Sequence, residues 1–568
     1  MSERRPDLAP VGSPAGRERR SNLAFVGWAS GLFLVGSVAM VLICRHVTGG
    51  RVIYVVDDAA IHLSVAQNLL RHGTWGVQPG VYQSASSSPL WGVLLAGAMW
   101  ITRTRDVLPW LLNVMAGLWL IWAVGSRQTV LKPHRRAPLA IAATAGLVTV
   151  VLFMPALTMV GMEHLLHAAM GVQLLAWIHD RALGRATRVP TWAPYLLATL
   201  AVLTRFETMW VVAGLGLGYL IDGAIKHRAL SERLPTVVGL GLAVGAPVAA
   251  YAVFNRAMGQ GFLPNSVLAK TVVSNAAISI TPQDILNHLT TDPMLAVVLI
   301  MAIAYLALAA TGERAQSIVP AVTVIVAVVV HSVFAQYGYW ERYQAYLVAL
   351  GVYFLFSAAR ELLPDRTTAL AVLALAALLV TPVKWALLVQ TPKGTDNTYS
   401  QRYQAALFVA REYDSQAIAT GELGYISLLH RGPVVDLLGL GNYQVLQHRK
   451  EGTDDAAFYA QEARRNGVDI ATVYSGALAG RTPGTWFLVA DWRLHGTPIS
   501  TLREPYQFWA TSPGAATALR AALAANLVRL PPHVSQYDNT CLDTELAQAR
   551  GGPPADQCLT RTLTRNRA

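Results

Sequence analysis

Long apolar stretches, separated by short charged or turn-forming segments, recur along this 568-residue chain up to about residue 389. A helix needs roughly 20 apolar residues to cross the hydrocarbon core of a bilayer, so such stretches leave little choice but membrane-spanning helices. The chain is 53% hydrophobic and only 14% charged, which no soluble globular domain of this length matches. The net charge of +12 does not indicate nucleic acid, because most of its basic clusters flank apolar spans, as positive-inside sorting demands.

Those clusters set an expected topology. The segment 1–20 carries Arg4, Arg5, Arg17, Arg19 and Arg20 among Pro and Gly and reads as a disordered cytoplasmic tail. The first span, Ser21 to Cys44, then leads outward. Pro89 to Ile101 is apolar but short and reads as a juxtamembrane helix. The spans Val107–Val124, Ala137–Val160, His164–Ile178, Trp192–Leu203, Thr208–Ile221 and Pro235–Phe254 follow. Pro293–Ala310, Ser317–Ala335, Tyr343–Phe356 and Thr367–Leu388 complete the set, about eleven helices in all. On this scheme Lys132, Arg135, Arg136, Arg181, Arg185, Arg188, Lys226, Arg228 and Arg233 all fall inside. An odd number of spans leaves residues 390–568 outside, as an α/β domain with a helix over Tyr399–Tyr413 and short strands at Ala417–Thr420 and Val434–Asp436. There Cys541 and Cys558 flank a Gly-Gly-Pro-Pro loop. An oxidising compartment favours a disulfide between them. Cys44, at the end of the first span, reads as inert.

Chemistry concentrates just beyond the first span, at Asp57-Asp58. Ionisable residues at the bilayer surface often mark a reaction or transport path. They open a run with apolar residues at Ile61, Val65 and Leu69, which predicts an amphipathic helix lying on the membrane. The competing reading is an N-cap, which accounts for one aspartate more readily than two. Further polar motifs emerge on the same expected face: Tyr82 to Trp91 with its serine tract, Gly161-Met162-Glu163-His164, and Thr204-Arg205-Phe206-Glu207. Leu263-Pro264-Asn265 leading to Lys270, and Trp340-Glu341-Arg342-Tyr343, join them. Each has a plain alternative. Glu163-His164 could cap a helix, Arg205 with Glu207 could bridge a helix break, and Glu341-Arg342 could be a headgroup-facing pair. The serine tract could be a linker and Pro264-Asn265 a turn. Their convergence on one face favours function.

Taken together, these motifs resemble the GT-C membrane glycosyltransferases that use polyprenyl-phosphate sugars. The resemblance is closest to the actinobacterial arabinofuranosyltransferases of cell-wall arabinan, in particular the mycobacterial terminal β-(1→2) type. It is carried by Asp57-Asp58-Ala59 with Asn68 to Gly73, Ser88-Pro89-Leu90-Trp91, Gly161-Met162-Glu163, Leu203-Thr204-Arg205, Leu263-Pro264-Asn265 with Ala269-Lys270, and Glu341-Arg342-Tyr343. Gly424-Tyr425 and Val435 to Leu440 extend it, so that it covers most of residues 50–445. The chain departs from those relatives at Gln78-Pro79-Gly80-Val81-Tyr82, which lacks their charges, and at Arg205-Phe206-Glu207, where they often read Arg-Pro-acid. Both departures fall where a sugar would be read and leave its identity open.

The resemblance implies a GT-C fold, with residues 21–389 as the catalytic transmembrane domain and 390–568 as an extracytoplasmic α/β domain. It implies a plasma-membrane enzyme that moves a sugar, arabinofuranose by the closest relatives, from decaprenyl phosphate to a cell-wall glycan such as arabinogalactan. Asp57 or Asp58 would take the acceptor proton, with Asp57 favoured because it emerges first. Arg205, Lys270 and Arg342 would hold the donor phosphate, and Glu163, His164, Glu207, Trp91 and Asn265 would contact substrates. A divalent cation at Asp57/Asp58 is the one cofactor envisaged. No Asp-x-Asp or nucleotide-sugar signature is present, which fits a lipid donor. Aromatic residues Tyr425, Tyr443, Trp486 and Trp492 of the outer domain could stack on a glycan or simply fill a core. The alternatives are a lipid or sugar transporter or flippase, a mannosyl-type transferase of the same fold, and a non-catalytic assembly or sensor protein.

Overall fold

Apolar stretches without internal charges form helices because only a helix satisfies every backbone N–H and C=O within its own segment. The computed structural model describes residues 14–126, 137–185, 189–273, 287, 292–311, 315–362, 384–549 and 563–565. Among these, seven helices are long and apolar enough to span a membrane, and three shorter apolar helices accompany them. The expected span from Thr367 falls largely outside the described residues. The first helix, α1 (Pro14–Val47), begins well before the expected span, taking in residues assigned to a tail.

The chain divides into two compact units, 1–41, 109–250 and 278–389 in one, 42–108, 251–277 and 390–568 in the other. The first unit is helical. Here α4 (Leu108–Gly125), α5 (Ala137–Val151), α6 (Met154–Val160), α7 (His164–Ala182), α8 (Ala193–Thr204), α9 (Thr208–Ile225) and α10 (Leu230–Ala257) follow one another. Pro293–Ala310, Val319–Phe334 and Ala345–Leu362 complete its long helices. Two glycines one turn apart decide its tightest contact. A Cβ on Gly214 would stand 2.9 Å from the Cα of Thr323, and one on Gly218 would stand 3.2 Å from that of Val319. Small residues at this spacing let two backbones meet where lipid offers no hydrophobic drive. Elsewhere α7 is joined to Ala345–Leu362 by His179 Nδ1 and the Tyr353 hydroxyl, 3.1 Å apart.

The second unit gathers α2 (Asp58–His72), α3 (Pro89–Thr102) and α11 (Asn265–Val273) with the C-terminal domain. The sheet runs β2 (Val434–Asp436), β1 (Ile418–Thr420), β3 (Ile470–Tyr474), β5 (Tyr506–Ala510), β4 (Phe487–Leu494), β6 (Val534–Asn539) and β7 (Leu563–Arg565). The first three are parallel and the rest antiparallel. The two strands expected from the sequence are β1 and β2. Alternation along the strands fills both faces. One carries Trp486, Leu488 and Trp509 against Tyr459 and Val445. The other carries Trp492 and Phe508 against Phe408 of the helix Gln404–Glu412. Trp486 and Trp492 are therefore core residues rather than a sugar-stacking surface, and Tyr425 is buried as well.

Two expectations about the first loop change. Instead of presenting one apolar face, α2 is packed between α3 and the helix Leu423–Leu429, and residues 59–66 are buried. The serine tract is buried structure rather than a linker. The Ser84 carbonyl accepts the Asn265 N–H at 2.9 Å, and the Ser86 hydroxyl meets His62 Nδ1 at 3.2 Å.

Overpacking a tight helix contact costs about 1–3 kcal/mol. Gly214→Leu should therefore lower the thermal midpoint of the purified protein in detergent. Gly241→Leu should not, since a Cβ at Gly241 meets nothing within 4 Å. Equal midpoints for both variants would contradict the close approach.

Candidate active site

Asp57 sits at the turn into α2, yet it makes no side-chain cap to that helix. Its carboxylate reaches instead across the second unit. Oδ2 accepts the Gly424 N–H at 2.7 Å and Oδ1 accepts the Tyr425 N–H at 3.0 Å. These are the first amides of the helix Leu423–Leu429, which leaves the carboxyl end of β1. The positive end of a helix dipole and two unpaired N–H groups suit an anion. Gly424 is required here, because a Cβ would collide with the Asp57 carboxylate and carbonyl.

Around Asp57 stand three further charges. Asp58 is half-buried at the start of α2. Glu422 is paired to Arg402, whose Nε lies 2.6 Å from Oε2. Arg402 also donates to the Ser500 carbonyl at 3.2 Å. It is presented by a π-helical turn, Tyr399–Tyr403; such turns often re-aim side chains at functional sites. Burial pushes the Asp57 carboxyl up, against the pull of Arg402 and the two backbone donors. Burial likewise lifts Glu422 from 4.5 to about 7 despite Arg402, with Asp57 and Asp58 adding to the rise.

The motif Val435 to Leu440 is explained by a closed loop. Asp436 Oδ1 accepts the Leu438 N–H at 2.8 Å and Oδ2 accepts the Gly441 N–H at 2.6 Å. Gln83 then donates to the Gly441 carbonyl at 2.7 Å, fastening the first loop to this one. Trp91 and Asn265 also lie in the second unit and are fully buried. The Asn265 amide donates to Gln260 Oε1 at 3.1 Å, a structural role.

The remaining candidates lie in the first unit. Arg205 occupies the break between α8 and α9, where its Nη1 donates to Glu163 Oε1 at 2.8 Å and its Nη2 pairs with Glu207. Glu163 is fully buried and does not cap α7. One cation between two carboxylates leaves the trio with a net charge of −1. Arg205 thus has its charge already balanced, which alters its expected role as a phosphate ligand. His164 lies edge-on to Tyr343, with ring centres 6.1 Å apart. Arg342 donates to the Tyr343 hydroxyl at 2.7 Å and stacks at 4.6 and 4.7 Å on Tyr339 and Tyr343. Its neighbour Glu341 pairs with Lys384 rather than with Arg342, and Lys384 Nζ also meets Asp292 Oδ2 at 3.1 Å. Gly338, Tyr339, Trp340 and Glu341 are four successive residues with positive φ, from 48° to 81°. The side chain of Lys270 and the whole of Cys558 fall outside the described residues.

With this geometry in view, the fold is similar to that of ArnT from Cupriavidus metallidurans in the apo state. The two are 13% identical with a TM-score of 0.51, over 86% of this chain and 99% of ArnT. The chain has the GT-C fold. ArnT bound to undecaprenyl phosphate gives 12% identity and a TM-score of 0.46 over the same shares of each chain. The Archaeoglobus fulgidus oligosaccharyltransferase with Zn and sulfate gives 11% and 0.41, over 84% of this chain and 73% of that one. A domain of unknown function, DUF8728, matches residues 394–512. No curated protein matches the sequence.

Beside Asp57 and Asp58, which the sequence singled out, stand Arg402 and Glu422, which it did not. Glu422 stands two residues before the Gly424-Tyr425 motif, the one local hint. Its raised pKa has a testable consequence. Between pH 4.5 and about 7 the folded chain holds a proton on Glu422 that the unfolded chain has lost, so stability falls as pH rises through this window. Glu422→Gln should flatten the fall of the thermal midpoint across that range; an unchanged slope would show that Glu422 titrates normally.

Proposed function

We propose that this chain is a membrane glycosyltransferase that moves a sugar from a polyprenyl-phosphate donor to a glycan acceptor, with Asp58 as the general base. The observation that carries the assignment is the unequal exposure of the two aspartates, Asp57 buried and Asp58 half-buried. Both oxygens of Asp57 each accept a backbone N–H, so its role is to hold the C-terminal domain against the start of α2. Asp58 is adjacent and half-buried. Beside Glu422 and Arg402 it stands in a setting that can tune its basicity. This reverses the preference for Asp57 drawn from its position in the sequence.

The GT-C fold supports transferase chemistry only by analogy of fold. Polyprenyl phosphate leaves readily, so the protein need supply a base for the attacking hydroxyl and cations for the phosphate. In this reading Arg342 and Lys270 serve the phosphate. The net-negative trio of Glu163, Arg205 and Glu207 orients sugar hydroxyls, with His164 beside it. Arabinofuranose as the sugar and a cell-wall arabinan as acceptor rest on the sequence resemblance. So do the outward placement of the C-terminal domain and the cytoplasmic N-terminus.

A divalent cation enters the proposal as a partner of Asp58 and the substrates. Among the described residues no group of three or more His, Cys, Asp or Glu could hold a metal ion, and Asp57 already has its oxygens engaged.

Asp58→Asn should fold normally and lose transfer by about 10²-fold or more, the usual scale for a positioned base. The assay uses decaprenyl-phosphate arabinose and a short arabinan, with and without a chelator. Asp57→Asn should instead lower stability, as a charged hydrogen bond contributes about 1.5–3 kcal/mol. Near wild-type turnover in Asp58→Asn would end the assignment. For the outward domain, Cys541 is buried and its pairing with Cys558 belongs to the proposal. Non-reduced peptide mass spectrometry should find the two joined, and free thiols on protein from intact cells would refute an oxidising location.

A further inference from the structure

A cavity opens where two spans end. The long helix α1 carries Arg45 in its last turn, and its spanning portion ends at Val47. Residues Thr104 to Val107 immediately precede the span Leu108–Gly125. Between these spans the 14-residue α3 reads as a juxtamembrane helix, since counting it as a span would place Arg135 and Arg136 outside. Both span ends therefore lie at the same membrane surface. There, Arg45, Arg51, Arg105 and Asp106 join Tyr54, Tyr403 and Tyr425 around a cavity of about 570 Å³, and every residue lining it belongs to the second unit.

The charges of this cavity do not balance. Three guanidinium groups face one carboxylate, leaving +2 on the walls. Arg105 pairs with Asp106 at 2.7 Å and donates to Gln67 Oε1 at 3.1 Å. Arg51 donates to the Tyr403 hydroxyl at 2.9 Å and lies over that ring at 5.5 Å. Arg45 donates to the Gly50 carbonyl at 3.1 Å. Among the described residues no acid lies within 4 Å of Arg45 or Arg51. On the topology expected from loop charges this is the outer face, where positive-inside sorting does not call for arginine. Arg45 and Arg51 are exposed and Arg105 is half-buried, so water screens their mutual repulsion in part, yet together they set a positive potential around one concavity that favours an anion. The other walls are apolar, from Ile53, Leu63, Leu428 and Leu429. Cations at headgroup depth beside apolar walls match the two ends of one molecule.

We propose that this cavity binds the phosphoryl group of a membrane lipid of net negative charge, with Arg45, Arg51 and Arg105 on the phosphate and the apolar wall on the start of its chain. The residues that line it include neither Asp58 nor the cations assigned to the donor, and the proposal does not depend on the transfer reading.

The test is lipid retention by the full chain in zwitterionic micelles, read by native mass spectrometry. Phosphatidylglycerol, a polyprenyl phosphate and phosphatidylcholine are offered in separate arms, each with and without millimolar inorganic phosphate. Wild-type protein should retain at least one of the two anionic lipids about tenfold better than phosphatidylcholine, and the arm that binds identifies the source. Losing one charged hydrogen bond corresponds to about a tenfold loss, so Arg51→Ala and Arg105→Ala should each reduce retention by that factor. Arg51→Lys should recover part of it. The thermal midpoint of each variant, measured alongside, separates lost binding from lost folding. Equal retention of phosphatidylcholine, equal retention by folded Arg51→Ala and Arg105→Ala, or displacement by inorganic phosphate of all bound lipid would each overturn the lipid site.

Discussion

The second unit depends on one carboxylate placed on two backbone amides. Asp57 comes from the first loop and Gly424 and Tyr425 from the C-terminal domain, 367 and 368 residues later. Hydrogen bonds to an ionised acceptor are stronger than neutral ones, and inside a buried site they are also expensive to lose. Because Gly424 has no Cβ, the two segments come close enough for both bonds to form. Around this joint Tyr54 donates its N–H to the Tyr425 hydroxyl at 3.0 Å. Ser64 donates to the Ser427 carbonyl at 3.1 Å. The first loop and the C-terminal domain are thus fixed to one another at the residues bearing the candidate chemistry.

The joint also separates the two aspartates by function. Adjacent residues at the start of a helix point in different directions, so Asp57 is buried against the backbone of the C-terminal domain while Asp58 stays half-buried. Glu422 and Arg402 then act through the field at this position.

Much of the membrane fold was legible in the sequence, because apolar length and flanking charge are local signals. The helices α4, α7, α8 and α9 start within a residue of where hydropathy places them, and the short α3 is a helix of less than spanning length. The strands β1 and β2 were legible for the same reason. The partners were not. Nothing near Asp57 announces Gly424, and nothing near Glu341 announces Lys384. Pairing across hundreds of residues leaves no trace in periodicity. The tryptophans of the C-terminal domain illustrate a different limit. Trp486 and Trp492 have the same composition signal whether they stack on a sugar or fill a core, and only the sheet's alternation decides between them. Adjacent Glu341 and Arg342 invited a local ion pair, yet each turned to a more distant partner.

The turn from Gly338 to Glu341 has a consequence for any attempt to make this protein sturdier. Left-handed backbone costs roughly 1–2 kcal/mol for each residue with a Cβ, and Tyr339, Trp340 and Glu341 adopt it in succession. By that scale the segment withholds roughly 3–6 kcal/mol from the stability of its unit. Such a conformation persists only where its surroundings over-determine it, here through Lys384 on Glu341 and the ring contacts of Arg342. Glycine at Tyr339 would relieve strain while removing one of the two rings that flank Arg342. Thermal robustness and a fixed guanidinium are therefore opposed at this position, and a search for hardier variants would meet that opposition first.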